Sequence, residues 1–237
     1  YFGGQVKPRH SADQIAVNTA GTRVYLTHQS TGNPSYISVI DTTTNTAIAT
    51  LAATHPSAVT VNAAGTYAYV ADTNSAGQGF VHVIDTATNT AIRYLPVSID
   101  SGATAVTVST DNSRLYVATA DGHVMVLNAT DGQQIRAITV GHSPTATALS
   151  TDGQLLYVTN QTDNTVTIID TTTNTVTNFG NPVAVGNKPT HITVAPNGTA
   201  YTTNHNDGTL SAVVRVAAAD ITVNAPDYYS GVVSGTI

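Results

Sequence analysis

The stretch Leu155-Leu156-Tyr157-Val158-Thr159-Asn160, followed ten residues later by Asp170-Thr171-Thr172-Thr173-Asn174-Thr175, decides how this chain folds. A short run of apolar and β-branched residues around a tyrosine reads as a strand. An Asp followed by Thr-Thr-Thr-Asn reads as a turn, because the carboxylate accepts backbone N–H groups two or three residues ahead. Between them, Ile168-Ile169-Asp170 closes a second apolar run.

Working outward, the tyrosine strand recurs as Val24-Tyr25-Leu26-Thr27, Ala68-Tyr69-Val70-Ala71, Leu115-Tyr116-Val117-Ala118 and Ala200-Tyr201-Thr202-Thr203. The five tyrosines lie 44, 47, 41 and 44 residues apart. Ahead of each stands a turn residue that tolerates positive φ: Gly21, Gly65, Asn112, Gly153 and Gly198. An alternating strand precedes each turn, as in Ala58-Val59-Thr60-Val61 and His191-Ile192-Thr193-Val194. The Asp-ended strand recurs as Val39-Ile40-Asp41 and Val83-Ile84-Asp85; Asn128 replaces the Asp in the third repeat, and the fifth has lost the motif. A Thr-rich turn and a fourth strand complete each unit. Four strands per unit over five units at this period predict an all-β protein, a β-propeller of four-stranded antiparallel blades. The repeats span about 7–51, 52–97, 98–140, 141–185 and 186–223.

Composition agrees. Charged residues make up 9% of the 237 positions, against roughly a quarter in an average soluble domain. All fourteen acids are Asp, lysine occurs only as Lys7 and Lys188, and threonine fills 42 positions. A chain solvated by Thr and Asn instead of Glu and Lys is made of strands and turns. Eight scattered basic residues build no phosphate-tracking stripe, which argues against nucleic-acid binding. No apolar run reaches the ~18 residues of a membrane helix, so membrane insertion is not expected. With no cysteine, disulfides and thiolate metal sites are excluded. The absence of oxidisable thiols, together with low charge, suggests an extracellular, secreted or cell-surface protein.

Tyr157-Val158-Thr159-Asn160 and Asp170-Thr171-Thr172-Thr173-Asn174 together resemble the YVTN β-propeller repeat family, over roughly residues 7–223. Such repeats occur in surface-layer and secreted proteins, so the resemblance implies a structural or adhesive role. The family commonly builds seven blades, whereas five repeats are visible. The readings are a closed five-blade ring, which the repeat count favours, a ring with degraded blades, or part of a larger ring. Tyr1–Val6 and Asp220–Val223 are the candidates for a closing strand pair, since open sheet edges invite aggregation. Residues 224–237 break the repeat and read as a tail, either the start of a following Ig-like module or a strand on the propeller rim.

Propeller topology puts the loops between strands two and three on the same face as the segments leading into each blade. His10, His55, His142 and His191 map in or beside the lead-in segments, and His28, His123 and His205 to the loops; only His82 falls well inside a strand. Ligands of propellers bind around that mouth. His55, His142 and His191, with Lys188, Arg9, His28, His123 and His205, are therefore the ligand-face candidates. Neutral imidazole is a frequent metal ligand, but these spacings form no ligand pattern, and neither a metal nor a cofactor is expected. Asp41, Asp85 and Asp170 read as structural turn residues. The sequons at Asn128, Asn160 and Asn197 are candidate glycosylation sites, with Asn160 placed in an exposed loop. No nucleophile elbow, phosphate loop or HExxH helix is present, so no catalytic residue is assigned. The expected function is a non-enzymatic extracellular structural or adhesive module, binding a protein or glycan partner or itself through one loop face. The alternatives are a metal-dependent propeller enzyme of lactonase or lyase type and a periplasmic small-molecule binding protein.

Overall fold

The structure, a computed structural model, describes residues 12–30, 34–98, 100–177, 182–216 and 229–235. Every regular element among them is a strand. The first sheet holds β1 (Gln14–Val17), β2 (Arg23–His28), β3 (Tyr36–Asp41) and β4 (Thr46–Ala52). The second holds β5 (Ala58–Val61), β6 (Tyr67–Thr73), β7 (Gly79–Asp85) and β8 (Thr90–Ser98). The third holds β9 (Ala103–Val108), β10 (Arg114–Thr119), β11 (His123–Asn128) and β12 (Gln134–Thr139). In the fourth, β13 (Pro144–Leu149), β14 (Leu155–Asn160), β15 (Thr165–Asp170) and β16 (Thr175–Val176) are joined by β17 (Val183–Ala184), which also pairs with β15. The fifth holds β18 (Pro189–Val194), β19 (Ala200–Asn204), β20 (Thr209–Val216) and β21 (Tyr229–Gly235). Each sheet follows chain order and is antiparallel, the four-stranded unit expected from the repeat.

Register repeats along with sequence. Tyr25 faces Val39, Tyr69 faces Val83, Tyr157 faces Ile168 and Tyr201 faces Ala212. The predicted turn residues all adopt positive φ: Gly21 +67°, Gly65 +68°, Asn112 +60°, Gly153 +72° and Gly198 +84°. After the third strand, Asp41 accepts the amides of Thr43 and Thr44 at 2.8 and 3.1 Å. Asp85 does the same for Ala87 and Thr88, and Asp170 for Thr172 and Thr173. Each of these turns closes on an asparagine at positive φ: Asn45, Asn89 and Asn174. In the third sheet Asn128 accepts the Thr130 amide at 2.8 Å, and Gly132 supplies the positive φ. The turn survives the change because an amide oxygen accepts an N–H as a carboxylate does.

Contacts gather the chain into two compact units, Tyr1–Thr119 with Leu127–Ile135 and Ala120–Val126 with Arg136–Ile237. In the first, Tyr25, Ile37 and Val39 of sheet one pack with Ala68, Val70 and Ile84 of sheet two, and Val59 and Val61 join them. In the second, Tyr157, Val166, Ile168 and Val183 of sheet four pack with Ala200 and Val213 of sheet five, joined by Ile192 and Val194. In both cores the tyrosine-bearing face of the earlier sheet covers the opposite face of its successor. An inner sheet covered on both sides needs nearly continuous apolar strands instead of alternating ones, which is why β6, β10 and β14 are buried along most of their length.

The fifth sheet takes its outer strand from the tail that the repeat boundaries set apart: β21 pairs with β20 from Leu210↔Gly235 to Val216↔Tyr229. The closing-strand candidates Tyr1–Val6 and Asp220–Val223, with Arg9 and His10, lie outside the described residues.

Candidate functional site

Three residues beyond each core tyrosine, at the end of the second strand, the repeat places a buried polar side chain: His28, Asp72, Thr119, Asn160 and Asn204. In sheet four, Asn160 donates through Nδ2 to the hydroxyls of Thr165 and Thr167 at 3.0 and 2.9 Å. Its Oδ1 accepts the amide of Gly141, in the segment leading into the sheet, at 3.1 Å. Asn204 repeats the pattern in sheet five, donating to Thr209 and Ser211 at 3.0 and 2.9 Å. The lead-in backbone passes so close that a Cβ on Gly141 would sit 2.6 Å from Asn160 Cγ, and Gly186 is pressed on Asn204 in the same way. The slot therefore ties the lead-in loop to strands two and three, and glycine is what permits the approach.

Sheet two fills the same slot with ionisable groups. Asp72 stands at the asparagine position, and its Oδ2 is 2.7 Å from Nε2 of His82 on β7. The same carboxylate accepts the amides of Thr54 at 2.9 Å, His55 at 2.6 Å and Thr73 at 2.7 Å. Burial pushes the Asp72 carboxyl up, but the His82 hydrogen bond and the loop amides outweigh it and hold the group below the ordinary carboxylate value. The His82 ring lies beneath Tyr94 (centroids 4.8 Å, edge-on) and Phe80 (5.0 Å). Its Nδ1 is buried and finds no hydrogen-bond partner among the described residues.

A second fastener sits three residues further on. Asp163 accepts the His142 amide at 2.7 Å and lies 2.9 Å from the ring Nδ1. The backbone amide of His142, followed by its side chain, draws Asp163 below the usual carboxylate range. Asp207 accepts the Asn187 amide at 2.6 Å in sheet five; in sheet one the direction is reversed, and Asp13, just before β1, accepts the amide of Gln29, just after β2, at 2.7 Å. Ser143 and Lys188, each just before a proline, take positive φ, and the Lys188 amide donates to Asn164 at 2.8 Å.

The ligand-face candidates meet different fates. His55 and His142 lie in lead-in loops as expected; His55 Nδ1 is 3.0 Å from the Thr73 carbonyl oxygen, and the His142 side chain is 83% exposed. His123 opens β11, 3.3 Å from Asp121, and His205 is exposed beyond β19. His28 is not a loop residue: it ends β2 opposite Tyr36, fully buried and stacked on that ring at 4.4 Å. His191 lies within β18, paired with Thr203, because the strand begins at Pro189. Asn160 is not in an exposed loop either. Its Nδ2 is consumed inside the sheet, which removes it as a glycan acceptor; Asn128 is half-buried in its turn, and Asn197 is exposed. Among the described residues no three His or Asp side chains gather as a metal centre would require. The Asp72–His82 pair escaped sequence reasoning; the available signal was a charged residue at a repeat position that holds Asn in sheets four and five.

A family model described as lactonase, 7-bladed beta-propeller, matches residues 123–224. It names the architecture that the recurrent four-stranded sheets display. The fold is a β-propeller. Many solved structures share its fold, among them the following two. A functionally unknown protein from Desulfotomaculum acetoxidans DSM 771 superposes with a TM-score of 0.73 at 18% identity, covering 88% of this chain and 67% of that one. Kuenenia stuttgartiensis hydrazine synthase gives 0.66 at 16% identity, covering 90% and 80%. No curated protein sequence matches the propeller chain. A model for protein phosphatase 2C also matches, over residues 13–148. That stretch forms the first three sheets and runs into β13. The sheets side with the propeller.

Proposed function

We propose that this propeller is a non-enzymatic extracellular module, structural or adhesive, that binds a protein or glycan of a cell-surface assembly through its lead-in loops. One observation carries the reading: the polar groups at the loop ends of sheets two, four and five hold the lead-in loops in place. Asp72, Asn160, Asp163 and Asp207 all accept lead-in amides. A general acid or base must exchange its proton with substrate, whereas these groups act as fasteners. They hold the lead-in loops in place while the His142 ring stays exposed, and preformed loops on a rigid scaffold suit recognition. The YVTN-type signature at Tyr157–Asn160 and the low-charge, Thr-rich composition support the surface setting.

Binding of the purified chain to immobilised glycans and cell-envelope proteins tests this reading. His142→Ala should weaken binding while lowering the melting temperature only slightly, since the backbone amide of residue 142 still bonds Asp163 and an exposed side-chain pair is worth little. Turnover of lactone or phosphate-ester substrates with added divalent cation would overturn it. A lactonase-type enzyme is the second reading, favoured by the match over residues 123–224, and the same turnover assay decides between the two.

A further inference from the structure

In the lead-in segment of sheet four, nearly every polar group is spent on holding the segment down. The amides of Gly141 and His142 donate to Asn160 and Asp163 at 3.1 and 2.7 Å. The carbonyl oxygens of His142 and Ser143 accept the amides of Thr162 and Gln161 at 3.4 and 3.0 Å. The Ser143 hydroxyl oxygen accepts from the Thr162 hydroxyl at 2.9 Å. Both Asp163 oxygens lie on the His142 ring Nδ1, at 2.9 and 3.1 Å. Two groups are left over: the ring Nε2 of His142, whose side chain is 83% exposed, and the hydroxyl proton of Ser143.

The polarity of both is fixed. Asp163, drawn below the usual carboxylate range, is ionised and can only accept. Nδ1 therefore carries the imidazole proton, and the neutral ring turns a bare Nε2 lone pair outward. Thr162 already supplies a proton to the Ser143 oxygen, so that hydroxyl donates with its own. Ser143 sits at φ +53° directly before Pro144, a conformation rare for serine that persists only where the surroundings enforce it. Consecutive residues thus present one acceptor and one donor. Sheet five does not repeat this: at the matching positions Asn187 accepts from Asn206 at 3.4 Å, and Lys188 replaces the serine. Sheet two has half of it, since His55 Nδ1 donates to the Thr73 carbonyl oxygen but Ser57 Oγ is spent on Ala103 O.

A ligand hydroxyl can donate or accept and so adapts to either polarity. A secondary amide cannot, because its N–H only donates and its C=O only accepts. One fixed acceptor beside one fixed donor is therefore complementary to an amide. We propose that His142 and Ser143 bind the acetamido group of N-acetylated sugars, with the amide N–H donating to His142 Nε2 and the carbonyl oxygen accepting from Ser143 Oγ. A peptide amide has the same polarity, but protein partners draw their affinity from aromatic and Arg anchors seated in pockets. The flanking residues here are Gly141, Gln161, Thr162 and Asp163, small or polar groups that build no such seat. The inference rests on the recognition role proposed above and names the ligand of that loop. Asp163 is a positioning residue: it touches no ligand and sets the tautomer of His142.

NMR of the isotope-labelled full chain at pH 8, titrated with the methyl glycosides of N-acetylglucosamine, N-acetylgalactosamine, glucose and galactose, tests this. Before any sugar is added, the ring-nitrogen spectrum should show the His142 proton on Nδ1. At least one N-acetylated glycoside should shift the His142 and Ser143 signals and bind about tenfold more tightly than its parent sugar, the worth of one well-matched hydrogen bond. In Asp163→Asn the amide oxygen still accepts the His142 amide, while the amino group turns the ring proton to Nε2. That variant should bind the N-acetylated glycoside about tenfold more weakly, and Ser143→Ala, which removes the donor, by a similar factor. Equal affinity for acetylated and parent sugars, a wild-type ring proton on Nε2, an Asp163→Asn ring that keeps its proton on Nδ1, or variants that bind like the wild type would each overturn the proposal. Binding of cell-envelope proteins without any N-acetylated glycoside removes this inference and leaves the proposed module standing, whereas a chain that binds neither removes both.

Discussion

At the scale of single residues, one repeat position shows how a fold absorbs a change of chemistry. Where sheet four pairs Asn160 with Thr167, sheet two pairs Asp72 with His82. Asp72→Asn would keep one acceptor oxygen and turn an amide N–H toward the backbone donor of Thr54 or toward those of His55 and Thr73. The expected loss is about 1–3 kcal/mol, the usual range for a buried polar group left unpaired. The double variant Asp72→Asn/His82→Thr rebuilds the sheet-four pair and should recover part of it; equal denaturant midpoints for wild type and Asp72→Asn would refute the assignment. Acid stability follows the same groups. Asp41 and Asp85 are lowered by their turn amides, Asp72 by His82 and its loop amides against the pull of burial, and Asp163 by His142. Asp111 is drawn down to about 2 by the hydroxyl of Ser109 and the amide and hydroxyl of Ser113. Folded-state values below the unfolded ~4 mean that their contribution is complete above that value and is lost as pH falls through the folded values. Urea midpoints should accordingly drop between pH 7 and pH 3, and an unchanged midpoint would contradict the hydrogen bonds described.

At the scale of the element, strands and turns were legible because each is specified by nearby residues. Gly21, Gly65, Gly153 and Gly198 sit where a positive φ is required, and an Asp-Thr-x-Thr-Asn turn carries its own acceptor. Tyr157, 2% exposed in the shared core, should cost about 3–5 kcal/mol on truncation to alanine, as large buried aromatics do. Gly141→Ala should cost about 1–3 kcal/mol through overpacking, since the new Cβ would meet Asn160 and the Asp163 carboxylate, both at 2.6 Å. The same change at Gly21, where nothing lies within 4 Å, strains only the backbone and should cost less. Thermal melts of the two variants separate these causes. His28 and Asn160 were misread as loop residues for a reason that also lives at this scale. The motif shows that a strand ends near them, but not whether the last side chain turns inward, and that choice belongs to the partner strand.

At the scale of the whole molecule, the proposed function makes a simple statement about metal: EDTA should leave the melting temperature and the binding of surface ligands unchanged. A fall in either would favour the lactonase-type reading. The sequence by itself determined the all-β class, the repeat, the tyrosine core and the turn chemistry, because a period in the residues maps onto a period in backbone and burial. Only the tertiary structure decided that Asp72 and His82 form one buried pair, that Asn160 is a fastener inside a sheet, and that the sequence after the repeats supplies a fifth-sheet strand. Those outcomes depend on which strand lies beside which, and on what covers each face, and neither is written in any one segment of the chain.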